Sequence, residues 1–247
     1  MVARAAKRLA AKDGLTHELT AQILAAIAAM EDLWEGLGVC LSEEGDLLSQ
    51  WRAYAADGSG VSIGFDREYV DWLVQSSRGT DTDLELHQVK YEFQAHDQIV
   101  TPAYLELRRL LESDTDFPVN VSPELRKSDA PKIVELNGRL AISTLLLAAM
   151  DAFNGVFSLK HPAFTEEKEW RLLHRHDFLP MHPCLYRPIS DGIVPYKTCL
   201  LRDSARSRIA EVVLGPKHST PVQVVQNYLA QQGFPNVKVR RSAAPYR

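Results

Sequence analysis

Cysteine is scarce in this chain: three residues in 247, at Cys40, Cys184 and Cys199. None falls in a C-x-x-C pair, so neither a disulfide framework nor a zinc knuckle is supported. The thiols read instead as small, partly buried groups in a reducing cytoplasm. Long apolar runs are missing too. The most apolar stretch, Leu140 to Met150, is interrupted by Ser143 and Thr144 and falls well short of the roughly 20 residues a spanning helix needs. The N-terminus is basic but has no apolar run of the kind a signal peptide carries, so no membrane association is expected. Nor does one sign of charge dominate. Lys+Arg number 28 against Asp+Glu 32, a net charge of −4. That balance gives no global attraction to nucleic acid and leaves only a local basic patch open.

What is present is ordinary globular composition. Hydrophobic residues make up 45% and charged residues 24%, which excludes a disordered or collagen-like chain. Leu19, Ile23, Ala26, Ile27, Met30, Leu33 and Trp34 recur at helical spacing between Thr16 and Leu37. A short strand over Gly38–Ser42 follows. Asp46 is placed to cap a helix holding Leu47, Leu48, Trp51 and Tyr54, which the Asp57-Gly58-Ser59-Gly60 turn stops. Val61, Ile63 and Phe65 alternate as in a half-buried strand. A helix over Arg67–Ser77, a strand over Leu84–Phe93 and a helix over Thr101–Glu112 come next. Residues 114–131 form the best loop or insertion, and Lys132–Phe153 reads as a long apolar helix.

The last hundred residues turn toward β. Strands are expected at Trp170–Leu173, Cys184–Ile189, Tyr196–Leu201, Ile209–Leu214 and Val237–Val239, with a helix over Val222–Gln232 capped by Thr220. No internal repeat is visible. The pattern predicts an α+β chain with a mostly antiparallel sheet and flanking helices. It divides into an N-terminal helical segment, 1–38, packed on a domain over 39–247.

Chemistry concentrates in Lys160–Leu173, KHPAFTEEKEWRLL. If Glu167–Leu172 is extended, Glu167, Glu169 and Arg171 share one face, and Trp170 and Leu172 pack into the core from the other. Two carboxylates and a guanidinium in a row suit general acid–base or charge-stabilising work. The same row also suits an ordinary solvated ion-pair face. In Leu47–Phe65, Trp51 and Tyr54 lie three apart with Arg52 between them, a combination able to stack a flat ring and clamp a phosphate. They serve equally as core residues. Gly58, Gly60 and Gly64 match no phosphate-loop spacing. His161, His174, His176 and His182 lack the spacing of a metal site, and none is predicted. Glu166-Glu167-Lys168 satisfies only half of a nuclease motif. The tail cations Lys238, Arg240, Arg241 and Arg247 read as a solvated end.

Four blocks carry a resemblance: Cys40–Asp66, Val89–Tyr91, Lys160–Arg171 and Glu211–Pro216. Together they resemble the bacterial domain-of-unknown-function family numbered twenty-nine seventy-one, over roughly Val39–Arg247. Members of that family begin with a further strand and an asparagine-aspartate-proline motif, which this chain is expected to lack.

More distantly, Glu167-x-Glu169 on a late strand is similar to the layout of ADP-ribosyltransferases. That likeness implies a matching fold and NAD as a substrate. In such enzymes the second glutamate bonds the nicotinamide ribose and the first acts on the acceptor. Carried over, Glu169 stabilises an oxocarbenium-like transition state and Glu167 serves the acceptor, with Arg171 beside them. Trp51 or Tyr54 stacks nicotinamide and Arg52 holds a phosphate, with Ser49 in the same block.

Three functions are therefore carried forward. One is NAD-dependent ADP-ribosyl transfer or NAD hydrolysis, in a toxin or phage-defence effector acting on a small-molecule, protein or nucleic-acid acceptor and controlled by a partner protein encoded nearby. Another is a non-catalytic binding or interaction domain, in which Glu-x-Glu-x-Arg is a structural ion-pair ladder that fixes the sheet register. The last is a metal-dependent nuclease.

Overall fold

A computed structural model describes residues 1–31, 37–80, 83–112, 155–174, 185–199, 201 and 209–246. In chain order its elements are α1 (Val2–Lys12), α2 (His17–Glu31), β1 (Leu37–Ser42), α3 (Leu48–Tyr54), β2 (Val61–Phe65), α4 (Arg67–Ser77), β3 (Leu84–Gln88) and α5 (Phe93–Glu112). A 3₁₀ turn (Pro162–Glu167) then leads to β4 (Glu169–His174), β5 (Leu185–Ile189), β6 (Gly192–Tyr196), β7 (Ile209–Leu214), α6 (Val222–Gln231) and β8 (Lys238–Arg241). The expected loop over 114–131 and helix over 132–153 lie outside the described residues. The α+β class and the prevalence of antiparallel pairing hold. The chain gathers into two compact units, one of Met1–Glu35 with Val89–Thr165, the other of Gly36–Gln88 with Glu166–Arg247.

The first unit is helical. Thr16 Oγ1 accepts a hydrogen bond from the backbone N–H of Leu19 and so caps α2. Ile23, Ala26 and Ile27 of α2 join Ala5, Ala6 and Ala10 of α1 and Val100, Tyr104 and Leu107 of α5 in one core. The alanines let α1 lie close to α5.

Helix α5 corrects the sequence reading. It begins at Phe93 rather than near Pro102, and β3 stops at Gln88. Pro102 sits inside the helix, where it removes one backbone hydrogen bond. The buried stripe His96, Val100, Tyr104, Leu107 and Leu110 runs past the proline and holds the helix on both sides of it.

The second unit contains two three-stranded sheets, ordered β1-β4-β3 and β2-β7-β8, and the β5-β6 hairpin. In the first sheet the central strand β4 is antiparallel to both neighbours. In the second, β7 pairs antiparallel with β2 and parallel with β8. Val212, Leu214, Val237 and Val239 form the core under α6, with Val222, Val225, Leu229 and Phe234 packed against them. The strand expected at Tyr196–Leu201 is instead Gly192–Tyr196, because Ser190-Asp191 makes a two-residue turn that folds this segment back on β5.

Two predicted caps also differ. Helix α6 starts after Pro221 with no side-chain cap, and the Thr220 N–H donates to His218 Nδ1. Asp46 does not cap α3, whose N-cap is Leu47; its carboxylate is taken by other donors.

The Asp57-Gly58-Ser59-Gly60 and Leu214-Gly215-Pro216 segments meet where the chain crosses itself. Gly215 N–H donates to the Gly60 carbonyl and Lys217 N–H to the Gly58 carbonyl, at 3.0 and 2.9 Å. A Cβ on residue 215 would overlap the Gly58 carbonyl oxygen, so only glycine fits.

Candidate functional site

The face of β4 that carries Glu169 and Arg171 is polar around these two residues, with Leu173 further along it. Register places Ser42 opposite Glu169, and sets Cys40 of β1 and His87 of β3 on either side of Arg171. Cross-strand partners point to the same side. Glu169, the first residue of β4, is only 5% exposed. Its Oε1 accepts a hydrogen bond from Arg171 Nε at 2.7 Å, and the Arg171 side chain is 21% exposed. Burial works against the Arg171 charge. The hydrogen bond and charge of Glu169, with the Cys40 sulfur, more than offset it and hold the guanidinium above its ordinary value. Beyond Arg171, His87 Nε2 and Glu85 Oε2 pair at 2.9 Å.

Glu167 does not share this row. It ends the 3₁₀ turn, and Lys168 follows in a left-handed conformation (φ 42°), so the strand begins two residues later than its side-chain alternation required. Ser42 Oγ donates to the Glu167 carbonyl at 2.7 Å, and Lys168 Nζ reaches Glu44 Oε1 at 2.6 Å.

Trp170 and Leu172 also differ from expectation, since both are only half-buried and the buried member of the strand is Glu169. The Trp170 indole N–H donates to Glu43 Oε1 at 2.7 Å, and the Arg67 guanidinium lies 4.6 Å from its ring centroid. That polar engagement keeps the indole at the surface. Cys40, expected to be partly buried, is exposed because β1 is the edge of the sheet; Cys199 is exposed as well, and Cys184 lies outside the described residues.

The aromatic pair of α3 divides. Trp51 is 2% exposed and Tyr54 75%. Trp51 belongs to the interior, with its indole N–H on Asp46 Oδ1 at 2.7 Å. Arg52 is exposed and lies over the ring of Tyr246, 5.4 Å from its centroid. Ser49 is half-buried. So of the residues proposed to hold a dinucleotide, Trp51 faces the core while Tyr54 and Arg52 face solvent.

Asp46 is the residue that sequence reasoning undervalued. Besides Trp51 it accepts from Ser242 Oγ, from the Ala243 N–H at 2.7 Å and from Arg240 Nη1 at 3.2 Å. Burial raises its pKa, but these donors lower it further, and the net position is below the ordinary carboxylate value. Arg240 in turn forks onto both oxygens of Glu211, at 2.9 and 3.1 Å. The C-terminal cations read as a solvated tail therefore include one arginine that ties the sheet together. Cys40 and His87 were missed beside Arg171 for a different reason: only strand register brings them there.

Among the described residues, no group of three or more His, Cys, Asp or Glu converges on a metal-sized space. His174 has Nδ1 on the Asp83 carbonyl and Nε2 on Lys197 Nζ, at 3.1 and 2.7 Å; His176 and His182 lie outside the described residues. No described helix is long and apolar enough to cross a membrane.

Residues 50–172 match the family model described as Protein of unknown function (DUF2971). The resemblance to that family holds. The DUF2971 match includes α3 from Gln50, the Val89–Tyr91 block and β4 through Leu172, and so contains both Trp51 and the Glu169–Arg171 pair. No curated protein and no solved structure matches the chain. The DUF2971 description names no activity.

Proposed function

We propose that the chain is a non-catalytic binding or interaction module of the cytoplasm, and that Glu169 and Arg171 are a structural pair of its central strand. The observation that carries this reading is the state of Glu169, nine-tenths buried and already bonded to a guanidinium at 2.7 Å. A carboxylate that works on a bound ribose must present a lone pair to an open cleft. The separation of Glu167 from this face and the burial of Trp51 support the same reading. The pair also differs from the expected ladder. Glu167 drops out of it, which leaves Glu169 and Arg171 on β4 with Cys40 opposite Arg171 on β1.

The second reading is NAD-dependent ADP-ribosyl transfer or NAD hydrolysis. One observation favours it: Glu169 sits beside a charged guanidinium on a face that also carries Ser42, Cys40 and His87. A carboxylate withdrawn from water can stabilise an oxocarbenium-like centre.

Nicotinamide release from NAD, measured on the full chain and on Glu169→Gln, separates the two. The structural reading expects no release from either protein and a lower unfolding midpoint for the variant. Release that Glu169→Gln abolishes while the midpoint stays in place would establish the NAD reading instead.

A further inference from the structure

We infer that the end of the helical unit formed by α1, the start of α5 and residues 160–164 binds single-stranded nucleic acid, with phosphates on the α1 cations and bases on Phe93 and Phe164. This inference rests on the helical unit alone and stands apart from the reading of β4.

Helix α1, VARAAKRLAAK, holds four cations and no acid. Ala5, Ala6 and Ala10 are buried against the rest of the unit, which turns Arg4, Lys7 and Lys12 out to solvent. Arg8 is the cation that pairs, with Asp97. Among the described residues no ion pair is formed by Arg4, Lys7 or Lys12. The helix runs parallel to α5, since Arg8 meets Asp97 while Asp13 meets Tyr104 and Arg108. Arg4 lies one turn, about 6 Å, before Arg8, and so comes level with the first turn of α5.

That first residue is Phe93, and its ring is 45% exposed. Arg8 lies 4.8 Å from the ring centroid and the His161 ring stands edge-on at 6.2 Å. One turn beyond His161, Phe164 is 46% exposed, with Lys160 Nζ 5.0 Å from its centroid. The backbone holds these pieces together, because Lys90 N–H donates to the Ser158 carbonyl and Lys160 N–H to the Lys90 carbonyl. Two half-exposed rings thus sit among cations. Glu92, exposed beside Phe93, and Glu166, exposed two residues after Phe164, are adjoining acids, and Asp97 is neutralised by Arg8.

Cations that follow a backbone and rings that stack unpaired bases are the two components of a single-strand platform. A basic helix also suits an anionic membrane, but it must then insert an apolar face. The apolar face of α1 is already buried, which favours the nucleic acid. The chain's net charge of −4 confines any such binding to this local patch.

The test is fluorescence anisotropy of the full chain with a labelled oligothymidylate of about 16 nucleotides, and with a duplex of the same length, titrated from about 50 to about 200 mM salt. Binding of the single strand in preference to the duplex is expected. Phe93→Ala with Phe164→Ala should weaken it roughly tenfold or more and leave the salt slope in place. Arg4→Glu with Lys7→Glu should weaken it roughly tenfold and flatten the slope. All four side chains are at least partly exposed, and unchanged unfolding midpoints confirm that both variants are folded. Absence of binding, equal binding to duplex, or affinity indifferent to either pair of substitutions overturns the inference. Equal capture of an acidic polypeptide would also overturn it and reassign the patch to an acidic protein partner.

Discussion

Asp46 and Glu169 are both carboxylates withdrawn from solvent and bonded to an arginine, yet they do different things to the chain. Asp46 collects donors from residues 51, 240, 242 and 243, and so joins α3 to β8 and to the segment that follows it. Glu169 bonds an arginine two residues along its own strand. The first carboxylate fixes which distant segments meet. The second sets the orientation of a side chain within a strand that backbone pairing has already placed. A buried ion pair is in itself a poor source of stability, because desolvation opposes the attraction. The sequence separation of the segments that Asp46 joins is what gives that acid its hold on the fold.

Asp46→Ala gives the largest expected effect. It strands the Trp51 indole N–H, the Ala243 N–H, a serine hydroxyl and part of Arg240, for a loss of about 3 kcal/mol or more in unfolding free energy. Chemical denaturation measures it. The effect also has a pH signature. The folded pKa of Asp46 lies below its unfolded value, so its contribution is present above about pH 4 and fades as pH falls through the folded value. The gap between wild type and Asp46→Asn should shrink in that direction. A gap that widens in acid would break the comparison.

Gly215→Ala tests the crossing of the Gly58 and Gly215 segments. The new methyl group overlaps the Gly58 carbonyl, and a cost of about 2–3 kcal/mol is expected from overpacking, read as a lower thermal midpoint. Glu169→Gln should cost about 2 kcal/mol by leaving the Arg171 charge without its carboxylate. Replacing the pair together, Glu169→Leu with Arg171→Met, should recover much of that loss.

The smallest effect belongs to the helical unit, where Tyr104 O–H donates to Asp13 at 2.9 Å. Tyr104→Phe should cost about 1 kcal/mol. Burial, and then the hydrogen bond and charge of Asp13, push the Tyr104 pKa up to about 12, against a smaller opposing pull from Arg108. Its contribution is thus complete below pH about 10 and is lost as pH rises through 12. An ultraviolet titration of wild type against Tyr104→Phe follows that ionisation.

The two units also differ in how far the sequence could be read. The stripe Ile23, Ala26, Ile27 in α2 is a local periodicity, and it packs as the period requires. The β-rich unit depends on pairings between residues far apart, such as Cys40 with Arg171 and Arg171 with His87, which no local pattern encodes. Its strands were recognisable by alternation, while their partners were not. The site shows the same division. Glu169 and Arg171 were paired correctly from their spacing of two. The left-handed turn at Lys168 that displaces Glu167 left no mark, because lysine carries no preference for that conformation. Asp46 looked like a helix cap because Asp before an apolar helix usually is one. Apart from Trp51, its donors come from residues almost 200 positions away.

The central claim is that Glu169 and Arg171 act on structure, and through each other. The most direct measurement is the unfolding free energy of wild type, Glu169→Gln, Arg171→Met and the double variant, taken as a double-mutant cycle. A coupling of about 1 kcal/mol or more, with the double variant no less stable than either single one, is the predicted result. Additive or negligible effects on stability would contradict it and favour the NAD reading of Glu169.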